Sequence, residues 1–272
     1  MASEELNAVM LQRIEVAPGL AIMRVVPSGW ELPEFIPGQY AVLALPGSAP
    51  RSAGSEEEDP KPKDPSRLIK RAYSIASSSV LGEYLEFYIV RVPSGQLTPR
   101  LFALNHGDPL WLAEKIRGMF TLQDVPPDKH LVFVATGTGL APYMSMLRSE
   151  FAPGSSRRFA VLHGARHSWD LGYRSELMTL QRMAPNFTYV PVISQPEDER
   201  IPWKGQVGFL NNLWEDGLIE RAWGFKPTPE DTHIFLCGNP LMIEAMITTL
   251  GKDGFNEHTK REAGQIHLER YW

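Results

Sequence analysis

The feature that most limits how this chain can fold is a change of hydrophobic period near its middle. In the first half, apolar residues come in short segments, at 9–16, 20–26, 40–45, 73–75, 85–92 and 110–112. Gly, Pro and Ser separate them, at 18–19, 27–29, 37–38, 93–95 and 107–109. Short strands with turn residues between them predict an antiparallel barrel or sandwich. After Pro126 and Pro127 the pattern alternates instead. Apolar strands are expected at 130–135, 159–162, 187–193 and 233–237, with a last strand at 265–272. Helical spacing falls at 141–150, 175–183, 207–219 and 241–250. Strands alternating with helices imply a parallel sheet covered on both faces. The expected fold is therefore of two classes, α/β and β: an N-terminal antiparallel β-barrel over 1–125 and a C-terminal parallel α/β domain over 126–272. The boundary is expected near 122–129.

Within the first half, residues 46–70 interrupt the strand pattern with a run rich in Pro, Ser and charge, GSAPRSAGSEEEDPKPKDPSR. Such a composition reads as a solvated, flexible insertion. The whole chain is 43% hydrophobic and 22% charged, a globular balance, and its net charge of −5 offers no reason to expect nucleic acid. The first residues show no basic segment followed by an apolar core, and no run of about 18 apolar residues occurs. A cytoplasmic protein that engages no membrane is expected. The single cysteine, Cys237, can make no internal disulfide and cannot hold an iron–sulfur cluster. Electron chemistry in this chain would need an organic cofactor or a haem, and no Cys-x-x-Cys-His haem attachment sequence is present.

Three short motifs carry chemistry. Ala135-Thr-Gly-Thr-Gly-Leu-Ala-Pro142 follows an expected strand and opens an expected helix. Its glycines permit a tight turn and let backbone N–H groups approach an anionic ligand at a helix start. Pro142 stands where Gly-x-Gly-x-x-Gly has its last glycine, so the motif alone is also compatible with a plain strand–helix turn. Cys237-Gly-Asn-Pro240 is a second strand end before a helix. Alone it reads as a turn with Asn239 as helix cap and Pro240 in the first turn. Arg71-Ala-Tyr-Ser74 combines a phosphate-binding fork, a flat ring and a small donor. Alone it is an ordinary strand.

The order of these motifs is more specific than any of them. Arg71-Ala-Tyr-Ser74, Gly118-Met-Phe-Thr121, the 135–142 turn and Cys237-Gly-Asn-Pro240 follow one another on a barrel and then an α/β half. In this the chain resembles the ferredoxin–NADP reductase family over nearly its whole length. The bacterial subgroup is the nearest match, down to a final Tyr-Trp. The resemblance implies an enzyme with an FAD-binding barrel and an NADP-binding α/β domain. It also implies ferredoxin or flavodoxin as electron partner. For FAD it implies Arg71, Ala72, Tyr73 and Ser74, the strand Tyr88, Ile89 and Val90, and the loop Gln96, Leu97 and Thr98. Thr121, Thr138 and the terminal Tyr271 and Trp272 complete that set. For NADP it implies Gly137, Arg166, Ser194, Gly238 and Asn239. Ser74 and Cys237 would stand at the reacting rings, with Glu269 helping to shape the nicotinamide site. No metal is implied, and a monomer is expected.

One departure bears on coenzyme choice. Where bacterial relatives often carry arginines for the 2′-phosphate of NADP, this chain has Gln195 and Gln206. That weakens NADPH relative to NADH unless Arg174, Arg200 or Lys204 compensates. A basic rim from Lys70, Arg71, Arg91, Arg100, Lys115 or Arg117 is expected to receive an acidic carrier. His163 and His167 lie four apart but flank a strand end rather than a helix face, a poor start for a metal site. Two other functions stay open at this point: an NADH-dependent reductase serving an oxygenase, and a flavin-binding or electron-transfer module without turnover.

Overall fold

The computed structural model describes residues 5–270, which divide into two compact units. Unit 1 comprises Met1–Thr121 together with Ala141–Glu150, and unit 2 comprises Leu122–Leu140 with Phe151–Trp272.

Unit 1 holds β1 (Ala8–Ala17), β2 (Leu20–Pro27), β3 (Tyr40–Pro46), β4 (Leu68–Ser74), β5 (Leu85–Val90), the short α1 (Thr98–Leu101) and β6 (Pro109–Leu112). Every ladder is antiparallel, in the order β4-β3-β6-β1-β2-β5. The hairpin between β1 and β2 turns at Gly19, whose φ of 76° is costly for any side chain. No ladder between the edge strands β4 and β5 closes the expected barrel among the described residues; just past β4 an isolated bridge pairs Ile75 with Phe87, and Ala76 N–H donates to Glu86 O at 2.7 Å. Met10, Met23, Leu43, Phe87, Leu110 and Leu112 fill the interior, each worth about 1.5–3 kcal/mol when removed from water.

Helix α2 (Ala141–Glu150) is held to this sheet by a buried ion cluster. The Glu86 side chain is only 1% exposed. Arg24 Nε donates to one of its oxygens at 2.8 Å, and Arg148, on α2, donates to the other at 2.6 Å. A carboxylate taken out of water needs such partners on both oxygens. Arg148 also reaches the Ala76 carbonyl at 2.9 Å, and Ser149 Oγ accepts from Ser79 N–H at 3.0 Å.

Unit 2 has β7 (His130–Thr136), β8 (Phe159–Ala165), β9 (Phe187–Ile193), β10 (Gln206–Val207), β11 (Thr232–Cys237) and β12 (Ile266–Glu269). All pair in parallel in the order β10-β9-β8-β7-β11-β12. Helices α3 (Arg174–Met183), α4 (Leu210–Glu215), α5 (Leu218–Trp223) and α6 (Pro240–Lys252) complete it. Residues 131–135 on β7 are buried on both faces, which accounts for the unbroken apolar run there. The chain runs outward from β7 to β10 on one side and from β11 to β12 on the other. The β7–β11 border is thus the switch point, where sheets of this kind bind ligands beyond the strand ends.

Several details differ from expectation. β4 begins at Leu68, inside the expected 46–70 insertion and five residues before the strand expected at 73–75. The helix expected at 207–219 is a two-residue strand followed by α4 and α5, because Gly217 takes a left-handed φ of 69° between them. The last strand ends at Glu269. The 46–70 insertion is exposed over much of its length, yet it is anchored to unit 1: Ser48 N–H donates to Pro65 O at 2.7 Å, and Ser52 N–H to Pro99 O at 2.9 Å. Among the described residues no helix is long and apolar enough to cross a membrane.

Candidate functional site

Two adjacent strand ends build the site in unit 2. β7 ends at Thr136, and a 3-10 turn, Gly137–Leu140, follows directly. β11 ends at Cys237, paired with Ala135 of β7. Thr136 Oγ1 accepts from Asn239 N–H at 2.7 Å, tying the second turn to the first. Asn239 Oδ1 in turn accepts from Leu241 N–H at 2.8 Å and caps α6, with Pro240 in its first turn, as expected. The glycines are sterically required. A Cβ on Gly139 would run into the Cys237 carbonyl, and one on Gly238 into the Thr136 side chain. Gly137 and Gly238 also take positive φ, 53° and 132°. Thr138 lies half-buried in the turn, and the Cys237 thiol is buried 4.0 Å from Glu269 Oε2.

At the ends of β8 and β9 the ladder continues past the strands. Ser194 N–H donates to Ala165 O at 3.1 Å, and Gln195 N–H to Arg166 O at 3.0 Å. Arg166, Ser194 and Gln195 therefore gather at one edge, with Arg166 exposed. A further group on this edge was not anticipated. His167 bridges Asp170 (3.2 Å) and Asp198 (3.1 Å) and stacks on Trp169 at 4.4 Å. The bond to Asp198 is the main cause that raises its pKa. Glu199 accepts from both the N–H and the hydroxyl of Ser168, at 2.6 and 2.7 Å. The Arg174 guanidinium lies over the Trp203 ring at 4.7 Å, and Trp203 Nε1 donates to Gln206 O at 2.9 Å. Aromatic residues among charges at 167–170 and 198–206 were the available signal, but their pairing is long-range. His163 belongs instead to the core, 3.3 Å from Tyr189 Oη, and burial lowers its pKa to about 4.

In unit 1 the end of β4 presents Lys70, Arg71 and Ala72 in succession on the surface, with Tyr73 half-buried and Ser74 buried. Tyr73 meets Phe87 edge-on at 6.5 Å, and its burial raises the phenol pKa. Arg71 donates to Gln96 Oε1 at 3.1 Å, which brings two of the sequence-derived motifs together. Leu97 anchors the Gln96–Thr98 loop in the core, and Thr98 Oγ1 accepts from Val92 N–H at 2.9 Å. Tyr88 and Ile89 are buried on β5, and Val90 is exposed. Thr121 is buried after a turn in which the Gly118 carbonyl accepts from Gln39 Nε2 at 3.2 Å. Arg100 cannot join the expected basic rim. Its side chain is 3% exposed and bound to Glu58. Lys70, Arg71, Lys115 and Arg117 are exposed. Tyr271 and Trp272 lie outside the described residues.

A parallel switch-point sheet with glycine-lined strand ends is the build of a nucleotide-binding domain. Residues 133–247 match the family model described as the oxidoreductase NAD-binding domain. The chain is 30% identical over 234 residues to a flavodoxin/ferredoxin–NADP reductase of Buchnera aphidicola, covering 86% of this chain and 92% of that one. It is 32% identical over 212 residues to the ferredoxin–NADP reductase of Pseudomonas aeruginosa, covering 75% and 80%. The crystal structure of a ferredoxin NADP+ reductase from Neisseria gonorrhoeae with bound FAD and NADP superposes with a TM-score of 0.76 at 24% identity, over 98% of each chain. The chain belongs to the flavodoxin/ferredoxin–NADP reductase family.

Proposed function

We propose that this chain is an FAD-dependent enzyme that moves electrons between NADP(H) and ferredoxin or flavodoxin. The observation that carries the reading is the pair of turns at the ends of β7 and β11, interlocked through Thr136 and Asn239, packed on each other at Gly139 and Gly238, and open in front of Gly137. Such a cradle admits a dinucleotide backbone at close range. On the flavin side the donor set fits: a cationic fork at Arg71, a flat ring at Tyr73 and a hydroxyl at Ser74. Bound FAD supplies the two-electron to one-electron conversion, and the protein supplies binding and orientation.

The residues then have separate tasks. Arg71, with Gln96 and Thr98, binds the pyrophosphate. Tyr73 would offer its ring to the flavin, and Ser74 would supply a hydroxyl donor near it. Gly137, Ser194, Gly238 and Asn239 would hold the nicotinamide nucleotide by backbone and small side chains, and Thr138 would lie between it and the flavin. The Cys237 thiol and the Glu269 carboxylate, 4.0 Å apart, would shape the nicotinamide site and need not transfer protons. Lys70, Arg71, Lys115 and Arg117 form the rim for an acidic carrier. A carrier-reduction rate unmoved by added salt would count against that rim. A monomer in the cytoplasm remains the expected state.

The 2′-phosphate of NADP has Arg166 as its cation. Gln195 and Gln206 are neutral, and Asp198 and Glu199 add negative charge to the same edge. Preference for NADPH over NADH is therefore expected to stay within about tenfold, the scale of one charge-assisted pair partly offset. Anaerobic mixing with each coenzyme, followed by flavin absorbance, tests both statements. Fast bleaching by both supports them, whereas a protein without flavin, or one bleached by neither, refutes the enzymatic reading.

A further inference from the structure

The stretch 47–67 forms no strand or helix, and the proposed reaction gives it no task. Its contacts nevertheless converge on one target, the loop before α1. Glu56 N–H donates to Pro93 O at 3.1 Å. The Arg51 guanidinium donates to the carbonyls of Gly95 and Pro93, both at 2.9 Å, and of Glu56 at 2.6 Å. From the other side Arg91 reaches the Ala53 carbonyl at 2.6 Å. The Glu58 carboxylate, 12% exposed, is shared between Arg51 at 2.8 Å and Arg100. Arg100 also donates to Gly47 O and, at 2.6 Å, to Gln96 O.

Gln96 links this network to Arg71. Its Nε2 donates to Pro60 O at 2.7 Å, and its Oε1 accepts from Arg71 at 3.1 Å. A glutamine alone on a surface loop would sample several rotamers and orient nothing. Held at its side-chain amide by Pro60 and at its backbone carbonyl by Arg100, it presents Oε1 to Arg71 in one direction. The guanidinium, also bonded to Lys70 O at 2.8 Å, is then set before any ligand arrives. A ligand that meets an ordered fork loses less entropy on binding.

We infer that residues 47–67 are a strap that fixes the 93–98 loop and, through Gln96, orients Arg71 for the FAD pyrophosphate. Arg51 and Glu58 are its positioning residues. The inference rests on the reading of Arg71 as a pyrophosphate ligand. Arg51→Ala cuts the staples to Gly95 and Pro93 while leaving Glu58 paired with Arg100, so no buried charge is stranded. Glu58→Gln is the harsher variant.

The test measures FAD release after dilution of the FAD-loaded full chain, from the recovery of free-flavin fluorescence. Each variant is made alone and in an Arg71→Ala background. Arg51→Ala is expected to raise the FAD dissociation constant roughly three- to tenfold, and Glu58→Gln at least as much. In the Arg71→Ala background both effects should shrink markedly, the mark of residues acting through Arg71, with only the share carried by Gln96 and Thr98 remaining. An equal loss in the two backgrounds overturns the inference, since the strap would then be a general support. So does an unchanged dissociation constant in folded Arg51→Ala. A wild-type chain that retains no FAD is a separate result, and it overturns the flavin reading itself.

Discussion

In unit 2 the strand ends at Thr136 and Cys237 carry glycines where any side chain would collide, whereas in unit 1 the strand end at Ser74 carries a guanidinium, a phenol ring and a hydroxyl. One proposed site is made by removing atoms and the other by adding them. A site made by removal is shaped by the two turns themselves and tolerates almost no substitution. A site made by addition depends on what holds the side chains still, and in unit 1 that support comes from a distant stretch of chain. The first should fail abruptly and the second by degrees.

The sharpest break in this comparison is Gly139→Val. The branched side chain would strike the Cys237 carbonyl, and NADPH-driven reduction of ferricyanide should fall by more than about a hundredfold, equivalent to roughly 3 kcal/mol. Bound flavin, measured by absorbance, should stay near stoichiometric in that variant; loss of flavin as well would show that the two sites are not independent. Arg148→Met probes the support of unit 1. It leaves Glu86 buried with one cation, and urea unfolding should show a loss of about 3 kcal/mol.

Acid should weaken unit 2 on a similar scale. Burial depresses the pKa of His163 to about 4, of His233 to about 4 and of His267 to about 3. Their neutral forms favour the fold above the ordinary histidine pKa of about 6.5, and that contribution is lost as pH falls from there toward 4. For fully buried His163 it amounts to roughly 3 kcal/mol. A His163→Phe variant should flatten the stability–pH curve in this window, and an unchanged slope would rule out His163 as its source. His167, whose pKa is raised by its bond to Asp198, acts in the opposite sense.

Arg71→Ala, the gradual failure, should weaken FAD binding about thirtyfold by fluorescence titration, the worth of one charge-assisted fork. Asn239→Ala is the smallest change. It removes the α6 cap and should cost about 1 kcal/mol in thermal unfolding.

The same contrast explains what could be read beforehand. Glycines at 137, 139 and 238 sit in fixed spacing beside apolar strands, so the two turns were legible, and the strands of unit 2 other than β10 fell within a few residues of expectation. The apolar period of 207–219 ran straight across Gly217, because periodicity records which residues face the core and is blind to one left-handed φ. Residues 46–70 read as solvent-facing from composition, and most of their surface is. What anchors them is the meeting of Arg51, Glu58 and Arg100, and neither composition nor period encodes a pairing 42 residues apart. The His167 bridge to Asp198, 31 residues away, escaped notice for the same reason. Arg100 leaves the expected rim because Glu58, the partner that permits its burial, is distant in sequence.

The path of the chain between the units has a practical consequence. The segment 122–140 belongs to unit 2, α2 returns to unit 1, and 151 onward is unit 2 again. No single cut can therefore part the molecule into two complete halves. A fragment ending at 125 would have every strand of the antiparallel sheet and still lack Arg148, leaving an acidic side chain in its interior half neutralised. Proteolysis or shuffling at that apparent boundary would yield neither half in working form. Recombination between relatives should succeed only where the crossover points keep α2 with the sheet it serves.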